Sequence, residues 1–173
     1  MDAKEQNKES QKLLTAMYKN VRVATQSIEN ILSSTKLNDI TIELSRQVAQ
    51  YYTFEKEITM LANALDYNLK DNSFIQKTQV WISVKLNLLS STCTQHIAEM
   101  LLVGTMMGII DLVKATTNFD DADEEIVSLA NNLEQFEREN IEVLFKFLKI
   151  KPETRSKNSD KPQDNIGKEI KKA

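Results

Sequence analysis

The chain has almost no residues that interrupt regular structure. Its 173 residues include three glycines and two prolines, far below ordinary usage. Both prolines, Pro152 and Pro162, lie beyond Lys151, so the first 151 positions contain none. A sheet protein turns roughly every 8–12 residues on glycine, proline and asparagine clusters. This chain lacks them, and a β-rich fold is excluded. The lone Cys93 excludes an intramolecular disulfide and fits a reducing compartment. The lone His96 limits imidazole chemistry to one ring.

Basic clusters are also missing where they would matter. The formal charge is −3, but residues 151–173 carry seven bases and four acids, which leaves the body at −6. An acidic body without a Lys/Arg stripe argues against nucleic-acid binding. A membrane-spanning run is short of length. The greasiest stretch, Ile97 to Val113, contains Glu99 and Asp111, whereas a span needs roughly 20 mostly uncharged residues. The opening MDAKEQNKES is charged and shows no apolar segment, so no secretory signal is expected and the expected location is cytoplasmic.

What remains is a helix-forming composition rich in Leu, Ala, Glu, Lys, Gln and Met. Leu14, Met17, Val21, Ala24, Ile28 and Ile31 recur at 3–4 spacing and predict a first helix over about 5–33. SSTKLND supplies the break. Ile40, Leu44, Gln47, Tyr51, Phe54, Ile58, Leu61 and Leu65 predict a second helix over about 39–69. A third pattern runs from Phe74 to Thr117, which would be ~65 Å of helix against ~45 Å for its neighbours. A bend or break is therefore expected near residues 88–94, where Ser90, Ser91, Thr92 and Thr94 compete for backbone groups. Its first half shows Trp81, Val84 and Leu88; its second half is apolar nearly all round. A fourth helix is expected over about 122–149, on Ile126, Leu129, Leu133, Phe136, Asn140, Val143 and Phe147. Four amphipathic helices on short loops imply an all-α, up-down-up-down four-helix bundle over residues 1–150, followed by a disordered charged tail over 151–173.

His96 and Glu99 share a helix face one turn apart. With Glu55 from the second helix, and Glu137 or Glu139 from the fourth, they offer one imidazole and several carboxylates, a set suited to iron or manganese. A standard two-metal bundle site takes two Glu-x-x-His pairs. One His, in reversed order, does not fill it, so no cofactor is the favoured expectation. The simpler reading is a buried polar cluster of His96, Glu99, Gln95 and Thr92 bonded to Gln47, Asn140 or a tyrosine. Cys93 and His96 are also one turn apart, the arrangement of a nucleophile and its base, but no glycine-rich loop accompanies them. A small inert thiol is the simpler reading. The tyrosines 18, 51, 52 and 67 read as core-edge residues. The acidic stretch from Asp120 to Glu125 reads as a helix cap, lacking the spacing of a calcium loop. Gly104 and Gly108 form a GxxxG, which predicts close approach of another helix, within the subunit or from a second one.

The segment from Thr94 to Leu112, TQHIAEMLLVGTMMGIIDL, is similar to a stretch in ferritin-like all-helical proteins of clostridia and related Gram-positive bacteria. That group has no settled activity, so the resemblance implies the bundle alone. The function expected from the sequence is non-enzymatic: a bundle that works as a homo-oligomer or by binding a protein partner. The alternative is an atypical ferritin-like metal-binding oxidoreductase centred on His96 and Glu99.

The tail carries no apolar face with which to dock. Removal of residues 152–173 should therefore shift the thermal melting temperature by no more than a few degrees. A large drop in the truncated protein would show that the tail packs on the body.

Overall fold

A computed structural model describes residues 3–35, 39–69 and 94–149. Among these, every regular element is a helix: α1 (Ala3–Ser34), α2 (Asp39–Ala64), α3 (Thr94–Asn118) and α4 (Glu124–Leu148). They pack as a four-helix bundle, with α1 against α2 and α3 against α4 as the two most intimate pairs. The first half of the expected third helix, its break over 88–94, Cys93 and the tail lie outside the described residues.

Local chemistry sets the ends. At the end of α1, the Ser33 and Ser34 hydroxyls donate to the Asn30 carbonyl at 2.8 and 3.1 Å, and Ser34 also reaches the Ile31 carbonyl of the last turn at 3.0 Å. Helix α2 stops at Ala64, earlier than its apolar pattern suggests. Asp66 takes a left-handed backbone conformation (φ 50°). Around it, the Tyr67 N–H donates to the Ala62 carbonyl at 2.9 Å and the Asp66 N–H to Asn63 at 3.0 Å. This is a Schellman stop with aspartate in the place glycine usually fills. Helix α4 starts on Asp123, whose carboxylate accepts from the Glu125 N–H at 2.9 Å. Glu124 and Glu125 then occupy the positive end of the dipole and Lys146 the negative end.

The helices run up, down, down, up. Arg22 meets Glu55 and Thr15 meets Tyr67, so α1 and α2 are antiparallel. Lys12 lies over Phe119, and Asn20 lies beside Gly108, so α3 is antiparallel to α1. Ser10 meets Asp123 and Asn20 meets Glu137, so α4 is parallel to α1. The expected up-down-up-down order is corrected on this point. Strict alternation follows from short loops, and 29 residues separate Ala64 from Thr94 in the sequence. The chain leaves α2 level with Thr15 and re-enters at Thr94, where Gln95 bonds the Leu148 carbonyl at the far end of α4.

The core lies along the common axis of the four helices. Leu13, Met17, Leu44, Ile58, Leu112 and Leu133 are among its fully enclosed side chains. Phe136 joins α4 to α2, edge-on to Tyr51 with centroids 5.0 Å apart and tilted against Phe54 at 5.5 Å. At the end where α1 begins, the buried Ser10 hydroxyl accepts from the Asp123 N–H at 2.9 Å, which ties α1 to the start of α4.

Leu133 touches the core from the middle of α4 and is 0% exposed. Leu133→Ala should cost about 2–5 kcal/mol, the transfer term plus a cavity. Chemical denaturation should show a lower midpoint with an unchanged slope. A midpoint equal to wild type would place Leu133 outside the cooperative core.

Candidate functional site

The most unusual group in the core is the Glu137 carboxyl. Glu137 follows Leu133 by four residues and precedes Ile141 by four, on the buried stripe of α4. It is 1% exposed. Tyr51 of α2 donates its hydroxyl to Oε1 at 3.2 Å, and Asn20 of α1 donates its amide to Oε2 at 3.4 Å. Gly108 of α3 supplies the remaining wall. A Cβ there would stand 3.0 Å from Asn20 Nδ2 and 3.2 Å from Glu137 Oε2. Glycine therefore lets the Asn20 amide and the Glu137 carboxyl pack against α3, where any other residue would crowd them.

Burial pushes the Glu137 carboxyl up to about 8. The Asn20 and Tyr51 donors pull the other way, and the like charge of Glu134 adds to the rise. Burial and Glu137 also raise the Tyr51 hydroxyl well above its ordinary range. At neutral pH the pair is thus largely uncharged. A second polar strip lies one turn away. Arg46 binds Glu43 at 2.7 Å and the buried Asn140 carbonyl oxygen at 3.2 Å, and Gln47 donates to Glu43 at 3.0 Å. Glu43 is raised by burial and lowered further by these donors, with a net fall.

Glu137 is reached from a groove between α1 and α3. The groove holds about 570 Å³, within the range of small-molecule sites. Ala24, Ile28 and Ile31 line one wall and Met100, Leu101 and Gly104 the other. Glu137, Tyr51 and Asn20 form a polar floor, and Lys19 and Asp111 stand near one end.

The residues singled out from sequence are placed differently. His96 and Glu99 do pair, Nδ1 to Oε2 at 3.2 Å, but their side chains are 48% and 63% exposed. The expectation that they form a buried cluster is corrected. Both point outward from α3, and the buried polar network is built instead on Glu137, Asn140, Gln47 and Tyr51. Glu55 does not join His96 and Glu99; it holds Arg22 at 3.2 Å. Among the described residues, the carboxylates that do converge are Glu9, Asp120 and Asp121. There Glu9 also accepts from the Asp121 backbone N–H at 3.2 Å, as a loop cap would. Gly104 is corrected for contacts within the subunit: a Cβ there meets nothing within 4 Å, so no described helix of the same chain approaches it closely, and it widens the groove. Gly108 is the glycine in close contact, with polar side chains instead of another helix backbone. Tyr51 is fully buried, not at the core edge. Tyr52 is exposed and bonds Glu29, and Tyr67 shares a 2.9 Å hydrogen bond with Thr15.

The outward side of α3 is the second notable surface. Positions 96, 99, 103, 106, 110, 113 and 117 follow one another at 3–4 spacing, the seam of a coiled coil. Its central members Val103, Met106, Ile110 and Val113, with Met107 beside them, are 38–58% exposed. The opposite side of the same helix, with Ile97, Leu101, Ile109 and Leu112, is in the core. By length and composition α3 is also the one described helix that could cross a membrane. By sequence α3 is apolar nearly all round, which calls for cover on every side. The 3–4 register separates the covered face from the open one.

Comparison with known proteins finds no matching family model, no similar curated protein and no similar solved structure.

The raised Glu137 pKa has a definite linkage sign. The folded state retains a proton that the unfolded chain releases above about 4.5. Stability contributed by this site is therefore greatest below that pH and falls as pH rises through about 8. Glu137→Gln, which cannot ionise, should gain on wild type between pH 5 and pH 8, by up to a few kcal/mol. Thermal melts across that range check it. Parallel pH profiles for the two proteins would show that Glu137 ionises at its ordinary pH.

Proposed function

We propose that this protein works by association, as a homo-oligomer joined through the outward seam of α3, and that it is not an enzyme. The observation that carries the reading is the exposed apolar row Val103, Met106, Ile110 and Val113 at coiled-coil spacing. Exposed contiguous apolar surface of this kind marks an interaction face on a soluble protein. The other side of α3 is built into the bundle against α1 and α4, which favours a protein partner over lipid for the open side. A second copy presents the same seam, and a twofold contact is self-complementary by construction.

The ferritin-like reading goes with this proposal at the level of architecture. The all-helical packing of the four described helices supports the resemblance of residues 94–112 to that class. The iron or manganese alternative has less support, because Glu55 is engaged by Arg22 and stands apart from the His96–Glu99 pair. A cytoplasmic location accompanies the association reading, as the single cysteine suggests.

Light scattering at micromolar to high-micromolar concentration tests it. Wild type should exceed the 19.8 kDa of one chain at least twofold. Ile110→Glu should return it to one chain while the melting temperature changes by only a few degrees, since the side chain is exposed. A wild type that remains at 19.8 kDa throughout sinks the proposal.

A further inference from the structure

We propose that the groove between α1 and α3 binds an apolar molecule carrying a protonated primary amine, with the ammonium seated on Glu137 beside Gly108. Three features of the groove support this, and none of them depends on the α3 seam.

First, the chemistry of the floor is one-sided. Glu137 Oε1 and Oε2 each accept one hydrogen bond, from Tyr51 and Asn20. The contacts are long, at 3.2 and 3.4 Å, and leave acceptor capacity on both oxygens. The charged neighbour that acts on the carboxyl is Glu134, of the same sign. A buried carboxylate without a cation is costly, which keeps this carboxyl protonated, and an ammonium would supply both the charge that lets it ionise and donors for its lone pairs.

Second, the carboxyl is held on the groove. Gly in mid-helix costs about 1 kcal/mol relative to Ala, and at Gly108 it lets Asn20 and Glu137 come against α3, within 3.0 and 3.2 Å of where a Cβ would stand. That close seat keeps Glu137 on the groove floor, which it lines together with Gly108.

Third, the groove is polarised along its length. From Asn20 toward Ile31, about 16 Å of helix at the standard rise, its walls are the aliphatic side chains of Ala24, Ile28 and Ile31 facing Met100 and Leu101. Lys19 and Asp111 lie toward the other end. A head group at Glu137 therefore sends an alkyl or arylalkyl tail along the apolar half.

Proton balance gives the proposal its signature. A carboxyl that is largely neutral before binding must ionise to pair with an ammonium, so binding at pH 7 releases a proton to the buffer. The other titratable groups facing it are Tyr51 from α2 and Glu134 from α4, with Lys19 of α1 and Asp111 of α3 lining the groove. Tyr51 is raised out of the neutral range.

Titration calorimetry with octylamine and octanol tests the idea on the full-length protein, in two buffers of different ionisation enthalpy. Octylamine should bind at least tenfold more tightly than octanol and release protons, with affinity rising from pH 6 to pH 8. Glu137→Gln, checked for fold by circular dichroism, should remove the preference for the amine. If that variant does not fold, the proton release and pH slope of wild type decide the matter alone. Equal affinity for octanol and octylamine, or amine binding without proton release, overturns the proposal. Absence of binding by either probe also overturns it, the groove then being filled by the chain itself or by a second copy.

Discussion

The Glu137 carboxyl is the point where all four helices meet. It is carried by α4, accepts from Tyr51 of α2 and Asn20 of α1, and faces Gly108 of α3. Apolar packing alone tolerates some sliding of one helix along another, because one leucine can replace another in a groove. A hydrogen-bonded carboxyl tolerates much less. Moving α1 or α2 by one turn would remove a donor and leave a buried oxygen unpaired, at about 1–3 kcal/mol each. Moving α3 would bring a side chain onto the carboxyl where glycine now stands. The cluster thus acts as a register key for a bundle whose other layers are mostly aliphatic. Buried polar groups have their best-attested structural use in that role. The cost is a carboxyl held neutral against its ordinary tendency, which is why its titration and the stability of the fold are linked.

The second constraint is the surplus apolar surface of α3. In α1 and α4 the apolar residues fall on one side, and each helix buries that side and solvates the other. In α3 they extend round most of the circumference, and among the described helices α1 and α4 are the ones packed most closely against it. The remainder divides into the groove wall (Met100, Gly104, Met107) and the outward seam. The bundle therefore exports two open surfaces from one helix, of different character. The seam is convex and repeats every three to four residues, which suits another helix. The groove is concave and has a polar floor, which suits a small molecule.

How much of this was legible in the sequence varied with the kind of signal. Helix positions along α1, α2 and α4 followed from 3–4 spacing, and the cap of α4 from its run of acids. The stop of α2 was not legible, because Asp66 fills a left-handed position that pattern reading assigns to glycine. The direction of α3 was not legible from a continuous helical pattern over 74–117. The buried polar network was half legible. Gln47, Asn140 and Glu137 stand out in the sequence as polar partners, though for His96. The signal that places Glu137 inside is its position on its own stripe, between Leu133 and Ile141, where the half-buried Glu134 and the exposed Glu139 do not fall. For α3 a nearly uniform apolar helix gives little sense of direction. The apolar neighbours Ile97, Ala98 and Leu101 are indeed buried, but they lie on the other side of the helix from His96 and Glu99, which share their face with the exposed Val103 and Met106.

The place of His96 and Glu99 then has a physical account on the association reading. They occupy the first two positions of the outward seam, before Val103, Met106, Ile110 and Val113. A uniformly apolar seam pairs with itself in several registers of nearly equal energy. A polar pair at one end removes that degeneracy. In any alignment that slides apolar residues of a neighbour over His96 and Glu99, an imidazole and a carboxylate lose water without gaining a partner. Single polar residues at seam positions set register and partner number in this way in coiled coils, at some cost in stability. The 3.2 Å bond between the two side chains keeps each satisfied while they remain in solvent. The arrangement needs one ring and one carboxylate at that end of α3, which is what the chain provides.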